Sequence, residues 1–313
     1  MKRLTLLILA FVILVFLCIL LIIPGAVNKT NKVTVQVPET VVIRHMAMKA
    51  GWTKWWPDQK GVNKIDSSSF TFKGVHFRID KNTFTSIFVT ITDGTNTFPS
   101  VINLATGENL VSEITWNFTY PTSRNPVKRF LKFERSKELG QLTAELLNHF
   151  KNFVEDEKNV YGLDIQYSKV QDSVVATTRM VSSQYPTTKE VYGMVKTLTD
   201  FVQQNQIAKN GSPMLNVTQI DDNQYHVMVA VPALRSVKAP NNIQFNRMVL
   251  GNILISEVRG GQNTVNKAFT QLKHFIEDSR HTTPAIPFQV LVTNRLTEPD
   301  TTKWITRVYF PIL

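Results

Sequence analysis

The C-terminal half of the chain contains an internal repeat, and the repeat restricts the fold more than any other feature. Val174–Pro232 and Ile253–Pro311 pass through the same succession of segments. Each opens on an apolar run, SVVATTRMVSSQ in one copy and GNILISEVRGGQ in the other. Each continues with an amphipathic helical stretch, VYGMVKTLTDFVQQ and KAFTQLKHFIED, in which Phe201 corresponds to Phe275. Each resumes strand-like sequence after corresponding prolines, Pro213 and Pro287. The spacing shifts only in loops, where insertions are tolerated. Two strand-helix-strand-strand copies packed together predict one pseudo-symmetric α+β domain over residues 159–313. The cleft between the copies is the natural place for a small molecule.

The opposite end obeys a different constraint. Leu4–Ile23 (LTLLILAFVILVFLCILLII) holds 20 residues without a charge and ends at Pro24-Gly25. At about 1.5 Å per residue, such a helix spans about 30 Å, the thickness of a bilayer core. A secretory signal has a shorter apolar region and a small-residue cleavage site, which Pro24-Gly25-Ala26 matches poorly. The expectation is an uncleaved anchor within residues 1–28. Lys2 and Arg3 before it favour a cytoplasmic N-terminus, with the rest of the chain on the non-cytoplasmic side. The single cysteine, Cys18, lies inside this run, so a disulfide framework and a Cys-rich metal site are excluded.

Residues 29–158 read as a separate domain. KVTVQV alternates as a strand, Pro38 and Glu39 suit a helix start, and TVVIRHMAMKAGWTKWWPD is helix-compatible up to Gly51. Trp52, Trp55 and Trp56 fall on one helical face and are read as core. Strand-like runs follow at Phe70–Asp80, Phe84–Thr92, Thr97–Leu104 and Leu110–Tyr120, separated by turn signals at Asp93-Gly94 and Thr106-Gly107. An amphipathic helix over Glu134–Lys158 closes the domain, its apolar stripe running through Leu139, Leu142, Leu146, Phe150, Phe153 and Val154.

Two family resemblances arise from these residues. The strand-Pro-helix opening at Val35–Glu39, Trp52-x-x-Trp55-Trp56-Pro57 and a terminal helix ending Asn152-Phe153-Val154-Glu155 resemble the START-like (SRPBCC, polyketide cyclase-like) superfamily. That resemblance implies a helix-grip fold with a hydrophobic cavity between sheet and helix. The C-terminal half resembles the GyrI-like effector-binding domain. The match rests chiefly on Glu298-Pro299-Asp300-x-x-Lys303-Trp304-x-Thr306-x-x-x-Phe310-Pro311-Ile312. The implied fold class is α+β: a helix-grip unit, then the duplicated GyrI-like unit, with one N-terminal transmembrane helix. The departures bear on function. The Gly-Pro-Tyr of the GyrI-like pattern reads Ser183-Gln184-Tyr185 in the first copy and Gly261-Gln262-Asn263 in the second. Its Glu and the Tyr two residues on read Gln289 and Leu291. A neutral Gln289 cannot serve as a general base at ordinary pH.

The candidate ligand-binding residues are therefore Gln289, Trp304, Tyr309 and Glu257, the nearest surviving acid, in phase with Ile253 and Ile255. Pairing with a nearby Arg or Lys is the alternative for Glu257. No HExxH, GxSxG, Walker or GxGxxG motif is present, and the six histidines show no metal-ligand spacing. No catalytic residue, metal or cofactor is expected. The net charge of +11 is spread thinly: residues 29–158 hold 18 basic and 13 acidic side chains, and residues 159–313 hold 15 and 11. Nucleic acid is thus not an expected partner, whereas an anionic membrane surface is compatible. The function these features imply is non-catalytic binding or sensing of a small hydrophobic or amphipathic molecule at a bacterial membrane. The alternatives are hydrolysis of electrophilic small molecules and a gyrase-inhibitor-like protein-interaction module. No protein partner is named by the sequence.

Overall fold

The computed structural model describes residues 2–58, 68–107, 110–170, 174–207 and 211–313. The chain divides into two compact units, Met1–Asp156 and Glu157–Leu313.

The first unit begins with α1 (Lys2–Ile22), whose side chains are exposed from Arg3 to Cys18, with Ile19 and Leu20 half-buried. Among the described residues it is the one helix long and apolar enough to cross a membrane. Then come β1 (Ala26–Val35), α2 (Glu39–Val42), a π-helical turn at Ile43–Ala47 and α3 (Lys49–Trp55). Five strands follow: β2 (Ser69–Phe72), β3 (Val75–Asn82), β4 (Ser86–Asp93), β5 (Asn96–Thr106) and β6 (Ser112–Pro121). The long helix α4 (Pro126–Val154) closes the unit. The strands form one antiparallel sheet in the order β1-β6-β5-β4-β3-β2.

Among the boundaries that differ from the sequence expectation, three have a local reason in the structure. β1 is longer than KVTVQV because it pairs with β6 over its full length, from Ala26 opposite Pro121 to Val35 opposite Ser112. The run Phe70–Asp80 is two strands, not one. Lys73 and Gly74 both have positive φ (47° and 79°) and form a two-residue hairpin between Phe72 and Val75. α4 starts eight residues before Glu134. The Asn125 side chain accepts from the Lys128 N–H at 3.1 Å, and Pro126 occupies the first turn, where its missing N–H costs nothing.

Alternation fixes which sheet face is buried. Ile87, Val89 and Ile91 of β4 and Ile114, Trp116 and Phe118 of β6 point inward, toward Leu139, Leu146 and Phe150 of α4. The space between sheet and helix is filled with rings. Trp52, Trp55 and Trp56 are buried, with centroids 4.9–5.6 Å apart, and reach Phe70, Phe77 and Phe150. Each indole N–H has a backbone acceptor: Trp52 on Met46, Trp55 on His45 and Trp56 on Thr71. The open cavity that the START-like resemblance implies is occupied here by these side chains.

Gly51 permits this packing. A Cβ there would lie 2.3 Å from the His45 carbonyl oxygen, a backbone atom that cannot swing away. Gly51→Ala is therefore expected to cost about 3 kcal/mol through overpacking, read as a lower denaturant midpoint.

A second tie joins sheet to helix through charge. Arg135 on α4 grips Asp93 at the end of β4 with two hydrogen bonds of 2.7 and 2.9 Å, and Tyr120 donates to the same carboxylate. The Arg135 hydrogen bonds hold the Asp93 carboxyl below its ordinary range. Burial, with Asp93 nearby, pushes the Tyr120 phenol up to about 12. Because the folded pKa of Asp93 is depressed, its contribution is full above the unfolded value near ~3.9 and is lost as pH falls through the folded value. Asp93→Asn is expected to cost about 2 kcal/mol at pH 7, since Arg135 is partly solvated, and that loss is expected to shrink as pH falls below the unfolded value of about 3.9. Denaturant midpoints between these pH values check both limits.

The second unit opens with α5 (Glu157–Tyr161) and β7 (Gln166–Lys169). The first copy of the repeat is β8 (Val174–Ser182), α6 (Thr188–Gln204), β9 (Met214–Asp221) and β10 (Gln224–Ala233). After β11 (Gln244–Arg247) comes the second: β12 (Asn252–Arg259), α7 (Gln262–Asp278), β13 (Phe288–Leu291) and β14 (Ile305–Ile312). Both helices have 17 residues. The eight-stranded order β11-β8-β10-β9-β13-β14-β12-β7 is palindromic about the β9/β13 seam, all neighbours antiparallel. The strand preceding each copy pairs with the first strand of the other copy, which interlocks them. The helices cover one face: Val191, Val195 and Leu198 of α6 join Leu215, Val227 and Val229 in one core.

Candidate functional site

The seam between the copies is the weakest point of the sheet. β9 and β13 pair only at Leu215–Gln289 and Met214–Val290. Beyond that point β9 runs on while the chain before β13 bends aside. Asn216 Nδ2 donates to the Pro287 carbonyl at 2.8 Å and takes the place of a ladder bond. The parted strands and the first two turns of α7 enclose a cleft of about 550 Å³. Phe269, Ile286 and Val217 supply apolar wall; Tyr185, Asn266 and Gln289 supply polar groups.

Beneath the cleft lies Arg295, in the loop between β13 and β14 and only 9% exposed. Its guanidinium donates to Thr306 Oγ1 at 2.8 Å, Gln289 Oε1 at 3.3 Å and Gln262 Oε1 at 3.4 Å, and lies over the Trp304 ring at 4.8 Å. Trp304 is itself fixed, its indole N–H donating to the Glu298 carbonyl at 2.8 Å. The loop is pinned by Tyr192, whose hydroxyl accepts from the Arg295 backbone N–H and donates to the Thr293 carbonyl. No carboxylate of the described residues pairs with Arg295. Burial lowers its pKa from the ordinary value. Burial likewise raises the Tyr185 phenol, partly opposed by a Gln289 hydrogen bond and by the Arg295 charge.

The four sequence-predicted residues fall on two faces. Gln289 and Trp304 lie on the helix side and are joined by Arg295. Glu257 and Tyr309 lie on the helix-free side, because strand alternation sets them opposite to Val308 and Phe310, the latter packed edge-to-face against Phe269 of α7. There Glu257 accepts from Arg307 Nε at 2.8 Å, directly across the β12–β14 pair, and both side chains are about half exposed. The Tyr309 ring stacks on Phe288 at 4.9 Å. Phe288 and Pro311 help line a separate cavity of about 170 Å³ on that face, with Met214, Met228 and Arg179. The four residues do not form one site.

Arg295 escaped sequence reasoning because it stands in the Thr293–Thr297 loop, outside any periodic stretch or motif. Gln262 stood out only as a departure from a family pattern, and Tyr185 only as the tyrosine of a triplet whose first two residues depart from it. Among the described residues, no group of three or more His, Cys, Asp or Glu side chains could hold a metal.

No protein-family model matches the chain, and no curated protein does. Solved structures similar to it include the EcmrR C-terminal domain, with a TM-score of 0.42 and 13% identity over 48% of this chain and 98% of that one. A hydrolase from Listeria innocua scores 0.37 at 7% identity, over 48% and 92%. SAV2435 bound to tetraphenylphosphonium scores 0.31 at 14% identity, over 48% and 94%.

Proposed function

We propose that this chain is a membrane-anchored receptor for a small amphipathic molecule, bound by the C-terminal unit without chemical conversion. On this reading α1 is the anchor, the first soluble unit is a START-like helix-grip domain and the second is a GyrI-like effector-binding domain. The observation that carries it is the cleft at the repeat seam. It has the size of a small-ligand site, apolar walls and a few convergent polar groups whose positions are fixed from beneath. The START-like unit serves as a packed spacer rather than a second receptor, since aromatic side chains fill its interior.

Native mass spectrometry of the detergent-solubilised chain, with thermal shifts against a library of aromatic and aliphatic amphiphiles, tests the proposal. At 100-fold excess over Kd a ligand adds about 2.7 kcal/mol, enough to raise Tm by several degrees. Asn266→Trp, which fills the cleft from α7, is expected to abolish those shifts while leaving the unliganded Tm within a few degrees. Absence of any retained or stabilising compound sinks the reading. Shifts that survive in Asn266→Trp would move the site elsewhere.

A further inference from the structure

We propose that the ligand of the seam cleft is an anion: an amphipathic molecule carrying a carboxylate or chemically similar group, drawn by the buried guanidinium of Arg295. The inference rests on the receptor reading above and adds the chemical class of the ligand.

Arg295 lacks a counter-charge among the described residues. Arg295 is nine-tenths buried, and every group it touches is neutral: a threonine hydroxyl, two carboxamide oxygens and an indole face. Its Nε–H is buried without an acceptor. A desolvated ion with no partner of opposite sign is costly, and folds rarely retain one unless a second charge completes it. The groups around Arg295 provide dipoles but no charge.

Those dipoles also have a direction. A guanidinium only donates, so both glutamine side chains must turn their oxygens to it. Their NH₂ groups then point away. The Gln289 amide reaches Tyr185, lining the cleft. The Gln262 amide donates to Asn266 Oδ1 at 2.9 Å, which leaves the Asn266 NH₂ for the cleft. A buried positive charge thus orients both amides: the Gln262–Asn266 chain ends in the cleft as a donor, and the Tyr185 hydroxyl, lining the cleft with Gln289, offers a second donor. Donors backed by a cation suit a carboxylate and repel an ammonium. Phe269 and Ile286 alongside suit the apolar body of the same molecule.

The test uses probes of one shape and three charges: 2-naphthoate, 2-naphthylmethanol and 2-naphthylmethylammonium. They are titrated calorimetrically into the full chain held in a non-ionic amphipol. Naphthoate is expected to bind at least tenfold more tightly than the ammonium, with the alcohol between. Decanoate replaces naphthoate to separate a lipid-derived acid from an aromatic one: the tighter of the two names the source. Gln289→Glu supplies the missing carboxylate to Arg295 and is expected to remove the preference for naphthoate without lowering Tm. Arg295→Lys keeps the charge and is expected to retain at least part of the preference. Tighter binding of the ammonium, or naphthoate affinity unchanged in Gln289→Glu, overturns the inference and leaves the receptor reading intact. Binding of none of the probes, with no compound from the wider library retained, defeats the receptor reading and this inference with it.

Discussion

Trp52→Ala is expected to remove most of the stability of the N-terminal unit. Trp52 is fully buried and touches the rings of Trp55, Trp56 and Phe70 at centroid distances of 4.9–5.6 Å. Truncating a core tryptophan costs about 3–5 kcal/mol through lost burial and the cavity left behind. Here the backbone cannot close the gap, because Gly51 already sits against the His45 carbonyl. The Met46 carbonyl also loses the indole N–H that donates to it, which adds about 1–3 kcal/mol if water does not enter. A domain of this size has roughly 5–15 kcal/mol in total. Four of the five tryptophans lie in this unit, at 52, 55, 56 and 116, so indole fluorescence chiefly reports its unfolding. The expected result is a urea midpoint reduced by half or more. A midpoint shifted by less than a fifth would show that the Trp cluster is peripheral to the fold.

That cluster was legible in the sequence because its cause is local: spacing of i, i+3 and i+4 places three indoles on one side of a helix whatever else the chain does. The repeat was legible for a similar reason. Two copies of one pattern must make similar elements, and α6 and α7 do have equal length. The interlocking of β7 with β12 and of β11 with β8 was not legible. Four-residue edge strands such as Gln166–Lys169 carry no period long enough to read, and their partners lie in the other copy.

The site was only half legible, because its organising residue acts through space. Gln289 and Trp304 stand 15 positions apart, with no visible relation until Arg295 is seen to touch both. Glu257 illustrates the converse. As the nearest acid in a strand it was a fair candidate for contact with a ligand. Pairing places Arg307 directly opposite, however, and a half-exposed ion pair on the helix-free face accounts for both charges. Glu257→Gln is therefore expected to leave binding in the seam cleft within twofold of the parent, by the same calorimetry that ranks the naphthalene probes.

Deleting residues 2–22 is expected to move the protein almost completely from the membrane pellet to the supernatant. Seventeen of the 20 residues in Leu4–Ile23 are Leu, Ile, Val or Phe. At roughly 0.3–0.6 kcal/mol each in the middle of a spanning helix, they favour insertion by about 8 kcal/mol, or about a millionfold in partition. Most of this surface is left uncovered by the described residues: along α1 side chains such as Leu7 and Phe11 remain two-thirds exposed. At its exit the helix is tied to the soluble unit, with Thr122 Oγ1 donating to the Pro24 carbonyl at 2.9 Å and Arg129 Nε to the same oxygen at 3.4 Å. The start of α4 is thereby held beside the end of α1, where exposed Val127, Phe130 and Leu131 accompany Arg124, Lys128 and Arg129. This geometry adds a second expectation: the truncated chain retains weak, salt-sensitive attachment to vesicles rich in anionic lipid and none to neutral vesicles. Carbonate-washed membranes and vesicle sedimentation measure the two effects separately. Recovery of the full chain in the supernatant at a mass short by the first 25 or so residues would identify Leu4–Ile23 as a cleaved signal and remove the anchor from the proposed function.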